Sequence, residues 1–345
     1  MSFNKNLSCQ TYLHKDFLHM IHKITAAQFI QQSHDSLIID VRSPQEFIKG
    51  HIPGAKNIAL FSDDERAVVG TLYKQQGKER AVLQGLQLVG PKLADFIIAV
   101  QSFTDKKTVF IYCWRGGMRS SSFAWLLHTY GYEVFLLQGG YKAFRNFALQ
   151  APSKKLDLIV VSGKTGTGKT ILLHDFDREG KQVIDLEGLA RHKGSVFGGL
   201  GQKQPTQEQF ENNVALLLDQ LKSDEPTWIE DESRKIGKII IPAGLWDQMR
   251  QAPIFFIEKT KQKRMDLLMQ EYGLFTTEDL LHALQGIEKH IGSQRYLQAQ
   301  TLLQNNDRIS FCSMLIDYYD QAYNHSLIRR QKQLKSNSHS DKISL

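Results

Sequence analysis

Residues 113–121 combine a thiol, two glycines and two arginines in one short segment, Cys113-Trp-Arg-Gly-Gly-Met-Arg-Ser-Ser. An apolar run at 108–112, which favours a buried strand, comes directly before it, and a helical pattern follows. Gly116 and Gly117 allow the backbone to curl, and the successive N–H groups of such a curl bind anions. The residue types therefore predict an anion-binding loop with a thiol at its base.

The charges around this thiol favour its reactive form. The N-terminal end of the following helix carries partial positive charge, and Arg115 and Arg119 add full positive charges. Each of these stabilises a thiolate, which is the nucleophilic form of cysteine. We predict that Cys113 is the catalytic nucleophile and that the two arginines bind its anionic substrate.

A second phosphate-binding motif begins at Gly163. The sequence Gly163-Lys-Thr-Gly-Thr-Gly-Lys-Thr matches G-x-x-x-x-G-K-[ST] and follows an apolar run at 156–161. In such a P-loop the backbone N–H groups cradle a diphosphate, the lysine bridges its oxygens, and the threonine holds a magnesium ion if the reaction uses one. The motif predicts a polyphosphate ligand, and nucleotide hydrolysis does not follow from it alone. The expected phosphate-binding residues are Gly163, Gly166, Gly168, Lys169 and Thr170.

Carboxylates that follow two later strand patterns are candidates for the acidic side of the same site. Asp185 and Glu187 follow one apolar run, and Glu230-Asp-Glu ends the next. The carboxyl ends of parallel strands meet at one edge of a sheet, where ligands of such folds bind. Asp185, Asp231 and Glu232 are therefore candidates for an acid or metal ligand, and the sequence leaves open which of them faces the P-loop.

Strand and helix patterns alternate on both sides of residue 150, which predicts two α/β units with parallel sheets. Apolar runs that read as strands lie at 36–41, 108–112, 133–137, 156–161, 182–185, 226–230 and 253–257. The polar stretch 151–155 predicts the boundary, and apolar spacings of three and four over 264–323 predict a helical part. We expect domains at 18–150 and 151–330 and a disordered basic tail at 331–345.

Length, charge and cysteine content set the broad class. The chain has 345 residues, enough for two cores, and its net charge of +7 favours polyanionic partners. Its three cysteines, Cys9, Cys113 and Cys312, form no CxxC pair, so the sequence predicts neither a zinc site nor a disulfide framework. With no signal-peptide pattern and no apolar run of about 18 residues, we expect a cytoplasmic protein without a membrane partner.

The segment upstream of the cysteine loop resembles the signature of rhodanese-like domains. It reads Asp40-Val-Arg-Ser-Pro-Gln-Glu-Phe-Ile-Lys-Gly-His-Ile-Pro-Gly-Ala. The resemblance implies a rhodanese-like α/β fold whose cysteine carries sulfur as a persulfide. It also implies that Asp40, Arg42, Glu46 and His51 support the loop rather than take part in the chemistry.

The loop departs from the simple sulfur carriers of that kind in its length. Five residues, rather than the usual four, separate Cys113 from the basic Arg119. This spacing also resembles that of phosphatases of the tyrosine and dual-specificity kind, and it predicts a cup wide enough for a tetrahedral phosphate-like group. Against a phosphatase, Tyr112 stands where those enzymes usually have histidine, and no general acid can be placed.

In this order, the two domains resemble the tRNA 2-selenouridine synthase family over nearly the whole chain. Besides the two loops, the matching runs are Leu137-Gln-Gly-Gly-Tyr-Lys-Ala-Phe-Arg, Arg191-His-Lys-Gly-Ser and Glu230-Asp-Glu-Ser-Arg-Lys-Ile-Gly. The resemblance implies an enzyme that acts on wobble 2-thiouridine of tRNAs for Lys, Glu and Gln. It implies geranyl transfer from geranyl diphosphate to the base sulfur, then replacement of the geranylthio group with selenium from selenophosphate. An enzyme that produces selenophosphate is the implied second partner.

In the expected mechanism, the Cys113 thiolate attacks selenium, phosphate leaves, and the resulting perselenide delivers selenium to C2 of the uridine. The P-loop binds the diphosphate of the geranyl donor. Trp114 and Phe197 are candidates for contacts with the base or the prenyl chain, although ordinary packing is the better explanation for Phe197. Two alternatives stay open: a tRNA sulfurtransferase that consumes ATP, and a non-catalytic tRNA-binding module, against which the intact Cys113, Arg119 and Lys169 argue.

Overall fold

A computed structural model describes residues 21–336, apart from the side chains of Val196, Ala322 and residues 324–336. The chain divides into two compact units, residues 1–150 and 151–345, and the division falls at the start of the polar stretch 151–155. Residues 18–20 of the expected first domain and 337–345 of the expected tail lie outside the described residues.

The first unit is built on a five-stranded parallel sheet with the strand order β1-β5-β4-β2-β3. The central strand β4 is buried at every residue except its first, Thr108, as expected of a parallel strand with helices on both faces. The strands predicted in this unit lie within one residue of their predicted bounds. The five strands are β1 (Ile21–Ile24), β2 (Leu37–Asp40), β3 (Lys56–Asn57), β4 (Thr108–Tyr112) and β5 (Glu133–Leu137).

Within residues 21–150, the helices beside this sheet are α1 (Ala26–Gln32), α2 (Pro44–Lys49), α3 (Asp63–Gln76), α4 (Lys78–Val89), α5 (Leu93–Phe103), α6 (Met118–Thr129) and α7 (Gly140–Gln150). The consecutive helices α3 and α4 pack against each other, and the sequence analysis did not place either of them. Helix α3 has no fully buried residue, and α4 buries only Ala81 and Gly85. This pair therefore leaves apolar side chains at the surface of the unit.

One helical stretch among the described residues, Lys78–Phe103, has the length and apolar composition of a membrane-crossing helix. It consists of α4, a 3₁₀ turn that contains Pro91, and α5. The α5 part packs Phe96, Ile97 and Val100 into the core of the first unit. Part of its apolar content is thereby explained by the fold itself.

The second unit has a four-stranded parallel sheet with the order β11-β6-β8-β7, and a short antiparallel pair, β9 and β10. All four strands predicted here again lie within one residue of their predicted bounds. The strands are β6 (Asp157–Ser162), β7 (Gln182–Ile184), β8 (Pro226–Glu230), β9 (Lys235–Ile236), β10 (Ile239–Ile240) and β11 (Ile254–Phe256). The mixed α/β class with parallel sheets is therefore confirmed for both units.

The helices of the second unit fall into two sets. Those packed near the sheet are α8 (Lys169–Arg178), α9 (Leu186–Ala190), α10 (Gln207–Gln220) and α11 (Ala243–Gln251). Those of the helical part are α12 (Lys261–Tyr272), α13 (Thr277–Gln285), α14 (Glu288–Ile291), α15 (Ser293–Gln304) and α16 (Arg308–Ser336). The helical part has its own apolar core. Phe197 lies in that core beside Tyr272 and Phe311, which agrees with a packing role for its side chain.

The expectation of a disordered tail is wrong for residues 331–336, because α16 continues to Ser336. The segment from Arg308 to Ser336 contains neither glycine nor proline, so nothing in it stops a helix. A polar and basic composition alone does not end a helix that an apolar first half has already nucleated.

Candidate active sites

Cys113 lies in the loop between β4 and α6, at the base of the predicted cup. Its side chain is only 3% exposed, and its sulfur lies 3.2 Å from the hydroxyl oxygen of Ser120. That hydroxyl also donates to the carbonyl of Gly117 at 3.1 Å. A protonated thiol donates to Ser120, whereas a thiolate accepts a hydrogen bond once the hydroxyl turns toward it. Ser120 can therefore stabilise both forms of the nucleophile, a role that the sequence analysis did not assign.

The N-terminus of α7 fixes the carbonyl groups of this loop. The N–H of Tyr141 donates to the carbonyl of Cys113 at 2.8 Å, and the N–H of Lys142 donates to that of Trp114 at 3.0 Å. In the part of the chain that the structure describes, no hydrogen bond uses the N–H groups of residues 115–117 as donors. With the carbonyls tied back, these N–H groups are available to an anion.

Gly140 makes this arrangement possible. Its φ is +62°, and a Cβ at this position would lie 2.4 Å from both the Cys113 carbonyl oxygen and the Gly116 nitrogen. No side chain fits there, because real Cβ atoms do not approach backbone so closely. The run that begins at Leu137 is thus part of the site, as the wall against which the cysteine loop is built.

Gly140→Ala is expected to lower the free energy of unfolding by about 2 kcal/mol or more and to slow alkylation of Cys113 by iodoacetate at least tenfold. The substitution would displace the loop backbone, so its N–H groups would no longer be positioned to bind an anion or to stabilise the thiolate. Chemical denaturation and mass spectrometry of the alkylated peptide measure the two effects. The matched control is Gly131→Ala, since Gly131 has a φ of +96° but open space around its Cβ position. Equal effects of the two substitutions would contradict this role of Gly140.

Arg119, at the start of α6, forms an ion pair with Glu46, a carboxylate of the rhodanese-like signature. Its Nη1 donates to Glu46 Oε2 at 2.8 Å. Burial acts to raise the pKa of Glu46, but the hydrogen bond and charge of Arg119 outweigh it and lower that pKa. Glu46 therefore stays ionised and positions the guanidinium. Arg115 lines the same side of the loop with Trp114 and Met118.

Asp40 and Arg42 form a buried pair behind the loop. The Arg42 guanidinium donates to the Asp40 carboxylate at 2.6 to 3.0 Å and to the carbonyl of Gly50 at 2.7 Å, and it stacks on the ring of Tyr141 at 3.8 Å. His51 stacks on Phe47, with Nδ1 2.9 Å from its carbonyl oxygen. None of these contacts involves the Cys113 sulfur, so Asp40, Arg42 and His51 contact the surrounding framework rather than the thiol.

The P-loop connects β6 to α8 and has the expected geometry. The Nζ of Lys169 donates to the carbonyl of Gly163 at 3.0 Å, and Gly166 and Gly168 have φ values of +80° and +81°. Both glycines thus adopt the left-handed backbone that turns N–H groups toward a phosphate.

A residue of the helical part supports the P-loop from behind. The side chain of Arg264 on α12 is 3% exposed, and its Nε donates to the Thr165 carbonyl at 2.8 Å. Its two terminal nitrogens donate to Asp320 on α16 at 2.9 and 2.5 Å. The sequence analysis missed this residue, because its motif partner lies 99 positions away.

The three candidate acids have different contacts in the structure. Asp185 caps α9 by accepting from the N–H of Gly188 at 2.7 Å and lies 3.1 Å from His174, and Asp231 accepts from the hydroxyl of Ser162. Gly188, His174 and Ser162 lie outside the motif, and Ser162 directly precedes it. Glu232 instead lies in electrostatic contact with Lys169 and hydrogen-bonds Glu187. Glu187, which the sequence also brought toward this edge, accepts from the hydroxyl of Thr170 at 2.9 Å.

The two carboxyl groups beside the P-loop, those of Glu187 and Glu232, have raised pKa values. Burial and the charge of Glu187 raise the pKa of Glu232 to about 8, and burial likewise raises the pKa of Glu187. Gly194 covers the pair so closely that a Cβ there would lie 2.5 Å from a Glu187 oxygen and 2.7 Å from a Glu232 oxygen. At neutral pH the pair therefore keeps a proton, which an arriving cation could displace.

Among residues 21–336, no group of three or more His, Cys, Asp or Glu side chains is arranged to hold a metal ion. Magnesium bound with phosphates commonly takes only one or two protein ligands. The hydroxyl of Thr170 and the carboxylate of Glu187, 2.9 Å apart, provide that number. The residues thus fit a magnesium ion that arrives with a diphosphate.

Comparison with known proteins agrees with both halves of this description. Residues 25–147 match the model of the rhodanese-like domain, and residues 156–344 match the model of the tRNA 2-selenouridine synthase AAA domain. Two proteins named tRNA 2-selenouridine synthase, from Nitrosomonas europaea and Shewanella woodyi, are each 34% identical to this chain. The alignments cover 86% and 91% of this chain and 90% and 94% of those proteins. The chain belongs to the tRNA 2-selenouridine synthase family.

Two further similarities fall on parts of the chain. The tRNA 2-selenouridine synthase of Bdellovibrio bacteriovorus is 44% identical over 248 residues, which cover 69% of this chain and 64% of that protein. A crystal structure titled as the N-terminal domain of a putative ATP/GTP binding protein from Clostridium difficile 630 is 40% identical. It covers 36% of this chain and 98% of that one, with a TM-score of 0.35. Family membership makes the chain a tRNA-modifying transferase, which decides against a non-catalytic binding module.

Proposed function

We propose that this enzyme converts wobble 2-thiouridine to 2-selenouridine by S-geranylation followed by replacement of the geranylthio group with selenium. The observation that carries the proposal is the presence of two separate anion-binding loops, one with a buried thiol and one with a P-loop lysine. Each step has its own anionic donor, geranyl diphosphate and then selenophosphate, so two cradles match two donors. The family resemblance suggests the tRNAs for Lys, Glu and Gln as substrates.

Geranyl diphosphate suits the P-loop. Loss of diphosphate from the geranyl carbon builds negative charge on its oxygens, and inward N–H groups with Lys169 stabilise such charge. Thr170 and Glu187 would hold a magnesium ion there, which when bound would supply further neutralising charge. Lys169 would exchange the Gly163 carbonyl for diphosphate oxygens, so the ligand gains a charge-assisted hydrogen bond.

Selenophosphate suits the Cys113 loop, and a perselenide there has a definite electron balance. Attack of the sulfur on selenium breaks the Se–P bond, and phosphorus must keep the bonding pair and leave as phosphite. The perselenide then attacks C2 and geranylthiolate leaves. One external thiol cleaves the S–Se bond to release selenouridine, and a second restores Cys113. Phosphate, expected from the sequence as the leaving group, does not balance this route.

A second route, favoured by the contacts of Cys113 and Arg119, releases phosphate. Selenium of selenophosphate attacks C2 directly, geranylthiolate leaves, and the Cys113 sulfur takes the phosphoryl group from selenium. Water then hydrolyses the S–P bond, so no thiol is consumed. The five-residue spacing to Arg119 and the Ser120 hydroxyl 3.2 Å from the sulfur suit a tetrahedral phosphoryl group on that atom. The phosphorus product distinguishes the two routes.

The proposed reaction requires a bound tRNA and a supply of selenophosphate. A net charge of +7 favours binding of the tRNA backbone. We place the reaction in the cytoplasm with its tRNA, and we propose that an enzyme that produces selenophosphate acts before it.

Incubation of the enzyme with 2-thiouridine tRNA, with each donor omitted in turn, tests the proposal. With geranyl diphosphate alone, mass spectrometry of the nucleosides should show S-geranyl-2-thiouridine, and with both donors it should show 2-selenouridine. With selenophosphate alone, 2-selenouridine should fall at least a hundredfold, because the sulfur of the unalkylated base would have to leave as sulfide, and C2 of that base is a weaker electrophile than C2 of the S-alkylated base. If ATP is required and neither donor is consumed, the sulfurtransferase alternative holds instead.

A further inference from the structure

The first unit contains an apolar groove with a volume of about 1160 Å³. It lies between the helix pair α3 and α4 and the exposed face of α6, and its apolar walls include Leu60, Val69, Tyr73, Leu86, Val89 and Trp125. Tyr73, Leu86 and Trp125 are each more than half exposed. Large apolar side chains gathered at a surface in this way mark a binding site more often than chance.

Small residues create the groove. Ala67 and Gly70 on α3 face it, as do Ala81 and Gly85 on α4. A Cβ on Gly70 would meet no atom within 4 Å, so the space beside it is open, and the ring of Phe61 lies 3.3 Å from the corresponding position at Gly85. The result is an apolar slot with the Phe61 ring against it, in which a hydrocarbon chain can lie.

The groove is continuous with the Cys113 loop. Trp114 and Arg115 belong to that loop and also line the groove, and Met118 and Arg119 at the start of α6 line it as well. A substrate whose reacting carbon lies at Cys113 therefore has the apolar slot directly beside it.

The charges of the groove narrow the class of ligand. Four cationic residues line the groove: Arg66, Lys74, Arg115 and Arg119. Among the described residues, no acidic side chain lines it. Two of these cations lie at the loop, where a phosphate group would be bound, and the rest of the slot is apolar. The cations at the loop suit the anionic selenium donor, and the apolar remainder suits a neutral hydrocarbon chain that lies beside that donor.

We propose that the groove binds the geranyl chain of S-geranyl-2-thiouridine while C2 of the base lies at the Cys113 loop. The inference rests on the proposed function, because only that function brings a ten-carbon chain to this thiol. The chain is attached through sulfur to the carbon that receives selenium, so it must lie within a few bonds of the reacting centre. Burial in the slot holds the intermediate for the second step and positions the leaving sulfur.

Binding of a short anticodon stem–loop RNA that carries either S-geranyl- or S-methyl-2-thiouridine tests the groove. Each buried methylene is worth about fourfold in affinity, so the full-length enzyme should prefer the geranyl RNA at least tenfold in fluorescence anisotropy. Gly70→Leu fills the open space with a side chain that also favours the helix, and Leu86→Gln makes the wall polar. Both variants should lose at least fivefold of the preference and bind the methyl RNA as before.

Leu83→Gln is the matched control, because Leu83 is a half-exposed leucine on the same helix that does not line the groove. It should keep the full preference. The inference is overturned if Gly70→Leu and Leu86→Gln keep the preference, or if they weaken both RNAs equally, since the groove would then bind the RNA itself. Formation of 2-selenouridine from the geranyl RNA by the unchanged enzyme is measured separately. Its failure would count against the proposed function, whereas the preference alone decides on the groove.

Discussion

Cys113→Ser should abolish selenium incorporation, by at least a thousandfold, while geranylation of the tRNA continues. Serine keeps the size of the side chain and the contact with Ser120, so the loop should fold. A hydroxyl is not ionised near neutral pH and is a far weaker nucleophile than a thiolate in the same cup. Either route for selenium uses this sulfur, so both should stop. Nucleoside mass spectrometry after incubation with both donors should show S-geranyl-2-thiouridine accumulating.

Cys312→Ser is the control for the loss of a cysteine as such. Cys312 is fully buried in the helical part, and burial raises the pKa of its thiol to about 11, so it stays protonated and unreactive. Both activities should survive this substitution. If Cys113→Ser instead removes geranylation as well, the assignment of one step to each loop is wrong.

The phosphorus released by the unchanged enzyme shows how Cys113 acts. Phosphite with consumption of two thiols per selenouridine indicates a perselenide, and phosphate without thiol consumption indicates phosphoryl transfer to the sulfur. Phosphorus NMR separates the two products. Selenophosphate hydrolysis in the Cys113→Ser enzyme provides the background that must be subtracted.

Local sequence was sufficient for both loops, because each is specified within about nine consecutive residues. The thiol, the glycines and the following helix of the first loop are neighbours in the chain, and the P-loop motif is equally compact. What sequence reasoning missed depends on tertiary contacts. Glu46 lies 73 positions from Arg119, and nothing in the order of residues says that a signature glutamate would pair with the loop arginine. Gly140 is required only because the loop backbone passes against it.

The choice among the acids was partly accessible. Asp185 begins the short helix α9, and its carboxylate caps the N–H of Gly188, so an aspartate three residues before a helical glycine could have been recognised as a cap. That reasoning removes Asp185 from the candidates, whereas the contact of Glu187 with Thr170 is seen only in the structure. The groove could not be predicted from the sequence, because it depends on the tertiary placement of α3, α4 and α6, and the open space beside Gly70 exists only in that arrangement.

Lys169→Ala should weaken geranyl diphosphate binding by about ten- to a hundredfold and reduce geranylation at least as much. The ammonium provides a charge-assisted hydrogen bond to the diphosphate, and Lys164, the other cation of the motif, lies 3.4 Å from the Asp320 carboxylate instead. Selenium transfer to a supplied S-geranyl RNA should be unaffected, because that step uses the Cys113 loop. Isothermal titration with geranyl diphosphate and nucleoside mass spectrometry with the supplied RNA measure the two effects.

Lys181→Ala controls for the loss of positive charge from the same unit, since Lys181 pairs with Glu179 at 2.8 Å on the surface. It should bind geranyl diphosphate normally. An unchanged affinity in Lys169→Ala would mean that the P-loop serves another ligand, and ATP would then have to be tested in the same titration. The supplied intermediate makes the outcomes of Lys169→Ala and Cys113→Ser complementary: each variant should fail in the step that the other performs. A variant of either loop that lost both steps would show that the two reactions share one site.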